Sequence, residues 1–157
     1  MKYRMRAITA VMAVAVPLTL LSAGAAGATN VGTEGCTPGY WKNHTENWEE
    51  YKPTFQLRYI FKGLPADSKY RTVTLSGALA LRGGPGLDGA TQILLRAASA
   101  AILNAAHEGL GYPYRRFTGE FSLMPQVNAA LASGDRAKML ALATTLDDAN
   151  NLGCPLN

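Results

Sequence analysis

The sequence predicts an all-α protein: a compact bundle of about five to six helices around an alanine-rich central helix, with its ends clasped by one disulfide. Three observations lead to this prediction. Every long apolar stretch after the first 28 residues has a helical period, and alanine and leucine outweigh β-branched residues. No alternating strand pattern is longer than "RTVTL". The chain has two cysteines, Cys36 and Cys154, near the two ends of what remains.

The first 28 residues have the organisation of a secretory signal. A basic region with three Lys and Arg residues precedes an apolar run of signal-peptide length, and small residues lead to a preferred cleavage point after Ala28. The apolar run is short for a bilayer span, and no later stretch resembles one. We therefore expect an exported chain in which residues 29–157 form a single domain, with no membrane span after signal removal.

Removing the signal changes the charge of the chain. The remaining 129 residues carry 12 basic and 11 acidic side chains, a net charge of +1. Nucleic acids and anionic membranes call for a basic face, so we expect neither as a partner. A chain of this length is ordinary for one domain with a sizeable core.

The two cysteines form an even pair, which in an oxidising compartment indicates a disulfide. A bond between Cys36 and Cys154 closes a loop of 117 residues. On the chain-entropy model such a loop stabilises the fold by roughly 4 to 5 kcal/mol. The alternative is a pair of unpaired buried thiols.

Three short helices are predicted ahead of the central one. Thr37 followed by Pro38 has the pattern of an N-cap and a proline at the first helical position. The stretch "PTFQLRYIFKGLP" places aromatic residues on one or two turns between proline and glycine signals. The stretch "TLSGALALRGG" is predicted to stop at Gly83-Gly84. Such short pieces are marginal alone and need a longer helix to pack on.

The central helix is predicted in "DGATQILLRAASAAILNAAHEGLG", from a cap at Asp88 to Gly109. It is apolar nearly all round, as is typical of a helix at the centre of a bundle. A further helix follows, with Thr118 as its cap candidate and a break or kink at Pro125. The last helix begins at an Asp135 cap and runs to the "LGCP" stop.

Three stretches together carry a resemblance to a known family: "GCTPGYWKNHTENW", "LLRAASAAILNAA" and "NNLGCPL". They resemble a family of secreted bacterial modules with a CTPGYWKNH-type opening, an alanine-rich central helix and a closing NNxGCP motif. The resemblance covers essentially the whole chain after the signal. It implies export and pairing of Cys36 with Cys154, and it implies no particular reaction. We see no sorting or anchoring tail, so secretion and attachment to the cell surface both stay open.

The candidate ligand-binding residues are Tyr40, Trp41, His44 and Trp48, in a stretch unusually dense in aromatic and acidic side chains. Trp41, His44 and Trp48 share a face if one helix continues through them. An aromatic stripe at helical spacing beside a disulfide is usually part of a core. We therefore expect Trp41 to pack near the cysteine pair.

The alternative is a carbohydrate-active protein that binds glycans or hydrolyses glycosides. The aromatic residues of this stretch, with Tyr51, would then be sugar platforms, and Glu46 or Glu50 would take part in chemistry. These two glutamates are four residues apart and would share a helical face. Exposure of both tryptophans would favour this alternative, and burial against the central helix would favour the core.

No catalytic residues are assigned, and we expect a non-catalytic protein, with enzymatic activity left open. No serine lies in a GxSxG context, and an oxidised Cys36 cannot act as a thiolate. A zinc site from Cys36, Cys154, His44 and His107 would have suitable ligand types, but its spacings match no familiar zinc pattern. We expect no metal, no cofactor, and an extracellular protein or glycan of unknown identity as partner.

Overall fold

The computed structural model describes residues 32–119 and 121–156. The predicted signal, residues 1–28, lies outside the described residues. Within them the chain forms six α-helices, two short 3-10 helices at Thr45–Asn47 and Lys69–Thr72, and no strand. The α-helices are α1 (Pro38–Asn43), α2 (Leu57–Ile60), α3 (Leu75–Leu79), α4 (Gly86–Ala106), α5 (Leu123–Ala132) and α6 (Arg136–Asn150). The predicted all-α class is confirmed.

Helix α4 is the centre of the bundle, since α1, α3, α5 and α6 all contact it. It is 21 residues long, and thirteen of them are buried. Many of the buried side chains are alanine, so neighbouring backbones can approach the helix closely. The predicted central position of this alanine-rich helix is confirmed.

The predicted ends of α4 are wrong by a few residues. Pro85 is its N-cap, and Asp88 lies in the first turn. The Asp88 carboxylate accepts hydrogen bonds from the Tyr70 hydroxyl (2.8 Å) and the Gln92 amide (2.9 Å), so side chains engage it instead of helix amides. The helix ends at Ala106, with His107 as its C-cap.

Two further helix boundaries differ from the prediction. Helix α3 ends at Leu79, well before Gly83-Gly84. Gly83 and Gly84 lie in the connection to α4, with φ values of 83° and 152° that favour glycine. The Gly84 carbonyl oxygen approaches α4 at Gly89, where a Cβ would lie 1.8 Å from it. The N-cap of α5 is Ser122 and not Thr118.

Pro125 neither breaks nor kinks a helix, contrary to the prediction. It is the third residue of α5. The amides of a first helical turn have no intrahelical acceptor, so a proline there removes no hydrogen bond. The remaining predicted caps are confirmed: Thr37 Oγ1 accepts from the Tyr40 amide (3.1 Å), and Asp135 Oδ1 accepts from the Ala137 amide (2.8 Å).

The two ends of the domain meet through a Cys36–Cys154 disulfide, with the Cα atoms 4.5 Å apart. The predicted pairing is confirmed. Beside it, the Gly35 amide donates to the Gly153 carbonyl at 2.9 Å. A Cβ on Gly35 would lie 2.0 Å from the Ala149 carbonyl oxygen, so only glycine lets the N-terminal segment approach α6 this closely. The disulfide therefore lies close to the C-terminal end of α6.

Across residues 32–119 and 121–156, no helix combines the length and apolar character needed to cross a membrane.

Replacing Cys36 and Cys154 together by alanine is expected to lower the free energy of unfolding by roughly 4 to 5 kcal/mol, because the unfolded chain regains the entropy of a very long loop. Denaturant unfolding of the variant and of the oxidised wild type measures this difference. An unchanged unfolding midpoint would contradict the prediction. Two free thiols in denatured protein recovered from the medium outside the native cells would contradict it as well.

Candidate functional site

A buried side-chain amide connects the opening stretch to the central helix. Asn104, fully buried on α4, accepts through Oδ1 from the Cys36 amide (2.9 Å) and the Trp41 indole N–H (2.8 Å). Its Nδ2 donates to the Cys36 carbonyl oxygen (2.9 Å) and to Asn150 Oδ1 (2.9 Å). A carboxamide has two donors and two acceptor positions, and all four are used. The amide therefore holds the first cysteine, the first tryptophan and α6 at once.

Asn150 continues this buried network at the end of α6. Its Oδ1 also accepts from the Tyr112 hydroxyl (2.8 Å), and its Nδ2 donates to the Ala97 carbonyl oxygen (3.0 Å). Burial raises the pKa of the Tyr112 phenol, which stays a neutral donor. The network spans residues that are remote in sequence, and satisfied polar groups of this kind fix one arrangement of the core.

Neither Asn104 nor Asn150 was predicted as a key residue. The available signal was an asparagine, Asn104, in the last turn of a helix that is otherwise apolar nearly all round. Such a position demands a partner because an unpaired buried amide is costly. The sequence does not show which groups supply it.

Trp41 is fully buried, with 0% of its surface exposed. Its ring also packs near His107, with the ring centroids 5.9 Å apart. This agrees with the predicted packing role beside the disulfide. A ligand could not reach the ring without displacing the core, so the hypothesis of a sugar platform does not apply to Trp41 in this conformation.

The expected single helix through Trp41, His44 and Trp48 is not formed. Helix α1 ends at Asn43 with His44 as its C-cap, a 3-10 turn follows, and Trp48 lies after that turn in extended backbone. Trp48 is half-buried and donates its indole N–H to the Trp41 carbonyl oxygen (2.9 Å). It therefore lies over the end of α1 and not on a shared helical face.

Of the four candidate ligand-binding residues, the structure brings Tyr40 and His44 together near the surface. Their rings stack with centroids 4.4 Å apart and an interplanar angle of 22°. His44 Nδ1 lies 3.0 Å from a carboxylate oxygen of Glu46. This stack is half-exposed, and its polar contact is made within the same stretch, between His44 and Glu46.

The two carboxylates of the glycosidase alternative do not share a helical face. Glu46 lies in the 3-10 turn, while Glu50 follows it in a left-handed conformation (φ 60°) and pairs with Arg116 Nη2 at 2.7 Å. A hydrogen bond from its own backbone and a second from His44 lower the pKa of Glu46, and the hydrogen bond from Arg116 lowers that of Glu50. A glycosidase acid needs a raised pKa.

His107 and Glu49 form a second contact between the opening stretch and the end of α4. The Gly109 amide donates to His107 Nδ1 (3.1 Å), and His107 Nε2 lies 3.6 Å from Glu49 Oε1. The other Glu49 oxygen accepts from the Glu108 amide (2.7 Å). Glu49 thus supports the chain as it leaves α4.

The zinc alternative lacks two of its ligands. Cys36 and Cys154 are joined to each other, and a disulfide sulfur does not offer the thiolate that zinc binds. His44 and His107 are engaged by Glu46 and by Gly109 with Glu49, respectively.

Two exposed aromatic rings flank a shallow depression of about 450 Å³ beside α2. Tyr59 is 63% exposed and Phe55 39% exposed. The Arg58 guanidinium lies 4.9 Å from the centroid of the Tyr59 ring, and the Lys62 ammonium lies 5.9 Å from it. We call Phe55, Arg58, Tyr59 and Lys62 the α2 patch. Sequence analysis placed these aromatic residues on one or two helical turns and did not predict their exposure.

No known protein family, curated protein or solved structure matches this chain. The resemblance to the secreted module family stays a prediction.

Trp41→Ala is expected to lower the free energy of unfolding by about 3 to 5 kcal/mol, the usual cost of emptying a large buried aromatic site. Trp48→Ala is the matched control, and it should cost clearly less because Trp48 is only half-buried. Thermal and denaturant unfolding measure both variants. Equal melting temperatures for wild type and Trp41→Ala would contradict the packing role.

Asn104→Ala is expected to cost at least about 3 kcal/mol, because it leaves the Trp41 indole and both backbone groups of Cys36 buried and unpaired. Asn128→Ala is the control, since the half-buried Asn128 side chain accepts one hydrogen bond, from the Gly63 amide (3.0 Å). That variant should lose about 1 kcal/mol. Similar losses for the two variants in denaturant unfolding would refute the central role of Asn104.

Proposed function

We propose that this chain is an exported, non-catalytic interaction or scaffolding module that binds an extracellular protein or glycan through the α2 patch. The observation that carries the proposal is the exposure of two aromatic rings flanked by two cations. The aromatic residues of the opening stretch have internal partners, whereas Phe55 and Tyr59 turn toward solvent. Exposed aromatic and arginine side chains are the residue types that dominate binding energy at interfaces.

The charge around the α2 patch supports a partner with acidic groups. Between residues 52 and 71 the sequence has five Lys and Arg residues and one acidic residue, Asp67. One of the five, Lys69, pairs with Asp88, and the other four remain in excess over Asp67. The rest of the chain after the signal balances this excess, so the basic character is local. Complementary charge steers a partner to such a surface and fixes its orientation.

Export of the chain is part of the proposal and has separate support. A disulfide that joins both ends of the domain is compatible with an oxidising exterior. The predicted signal and the family resemblance point the same way.

The carbohydrate-active alternative has less support in its enzymatic form. Two carboxylates with lowered pKa values are poor general acids at neutral pH. Trp41 is inaccessible, so a sugar platform would have to use the half-buried Tyr40, Trp48 and Tyr51 or move to Tyr59. A glycan therefore stays within the proposal as a binding partner and not as a substrate.

A double substitution in the α2 patch tests the proposal. Phe55→Ser with Tyr59→Ser should weaken partner binding at least about tenfold, as is typical for the loss of aromatic hot-spot residues. Phe117→Ser is a matched control, since Phe117 is 59% exposed and also lies beside an arginine, Arg116, at 5.3 Å.

Residues 29–157 of each variant are immobilised and exposed to native culture medium and to isolated cell-wall material. The captured component is identified, and its affinity for each variant is then measured with purified material. Retention of full affinity by the double variant, or equal losses in it and in Phe117→Ser, would refute a specific α2 patch. Turnover of a glycoside by the wild type would refute the non-catalytic assignment.

A further inference from the structure

A second surface carries three cationic side chains that form no ion pair within the described part of the chain. Lys42 on α1, Arg82 after α3 and Arg96 on α4 line one polar groove of about 440 Å³, together with Asp147 on α6. We call it the cation groove. We propose that the cation groove binds an oxyanion with at least two negative charges, such as a phosphate monoester or a dicarboxylate.

The cations of the groove are not neutralised by the protein around them. Among residues 32–119 and 121–156, no carboxylate oxygen lies within 4.0 Å of the charged nitrogens of these three side chains. Lys69 and Arg116, by contrast, each pair with an acid. Three positive charges face one negative charge, so the groove has a local excess that attracts anions.

Arg96 is the preorganised member of the group. It is half-buried on the longest helix, and its Nη1 donates to the Leu81 carbonyl oxygen at 3.5 Å. A guanidinium has five N–H donors in a rigid fork, so this one bond leaves donors for a ligand. Because the side chain is already positioned, less conformational entropy is lost when an oxyanion binds.

The groove lies where the same three stretches of sequence meet on the outside of the bundle. Lys42 belongs to the opening stretch, Arg96 to the central helix and Asp147 to the end of α6. In the interior, Asn104 connects these three stretches through its hydrogen bonds. On the outside, the same stretches lie side by side and form the cation groove. Arg82 is added by the connection between α3 and α4.

This inference does not rest on the proposed function. The cation groove and the depression of the α2 patch share no lining residue. Small anions test the groove without any macromolecular partner, so failure of one proposal leaves the other intact.

Calorimetric titration of residues 29–157 with inorganic pyrophosphate, and separately with citrate, at an ionic strength of about 0.1 M tests the assignment, because charges more than about 10 Å apart are then largely screened. The wild type should bind pyrophosphate at one site. Arg82→Gln should weaken binding about fivefold, the effect of removing one unit charge roughly 4 Å from the ligand in a water-like dielectric. Arg136→Gln, an exposed cation at the start of α6, changes the net charge equally and should leave affinity within about twofold.

A neighbouring pair of acids gives the sharpest comparison. Asp147 lines the groove and Asp148 does not. Asp147→Asn should therefore strengthen pyrophosphate binding severalfold, while Asp148→Asn has little effect, although both remove one negative charge. Arg96→Lys should weaken binding despite the retained charge, because the fork is lost.

Binding of pyrophosphate alone assigns a phosphoryl ligand, and binding of both probes assigns multiply charged oxyanions in general. Absence of binding by either probe overturns the proposal. Equal effects of Asp147→Asn and Asp148→Asn overturn it as well, and so do equal effects of Arg82→Gln and Arg136→Gln. In either case the affinity would depend on the net charge of the protein and not on the groove.

Discussion

The carboxamide of Asn104 is the interaction on which the rest of the structure depends. It lies in an apolar interior where an unpaired amide would cost several kcal/mol on the scale of transfer to an apolar medium. That cost is avoided only when the Cys36 backbone, the Trp41 indole and Asn150 all occupy their places. Alternative packings of the apolar side chains would leave donors or acceptors unmatched. The amide therefore selects one arrangement among the many that an alanine-rich helix could accept.

The disulfide and the amide network act on the same point of the fold by different means. Cys36 is bonded through its sulfur to Cys154 and through both of its backbone groups to Asn104. The covalent bond restricts the unfolded chain, whereas the hydrogen bonds fix the geometry of the folded one. Trp41 seals this junction from water. Most aromatic residues of the opening stretch contact other parts of the domain in this way. The ligand-binding surfaces proposed for this protein are therefore the α2 patch and the cation groove.

Local signals in the sequence located the helices, but they did not fix every helix boundary. The caps at Thr37 and Asp135 are correct because each side chain bonds an amide two or three residues away. Asp88 resembles a cap but has partners on another segment, Tyr70 and Lys69. Pro125 resembles a helix breaker, yet its effect depends on a start at Leu123 that the local pattern does not fix. The boundary at Asp88 was therefore wrong because contacts with another segment replaced the local one.

Periodicity, composition and a lone cysteine pair are properties of the chain alone, so the helical class, the central position of the alanine-rich helix and the joining of the two ends could be predicted from them. The burial of Trp41, the exposure of Tyr59 and the convergence of cations on one groove depend on tertiary contacts. The reason is the separation of the interacting groups. The hydrogen bonds of Asn104 join residues 46, 63 and 68 positions apart, and side-chain types at such distances do not indicate which donor meets which acceptor.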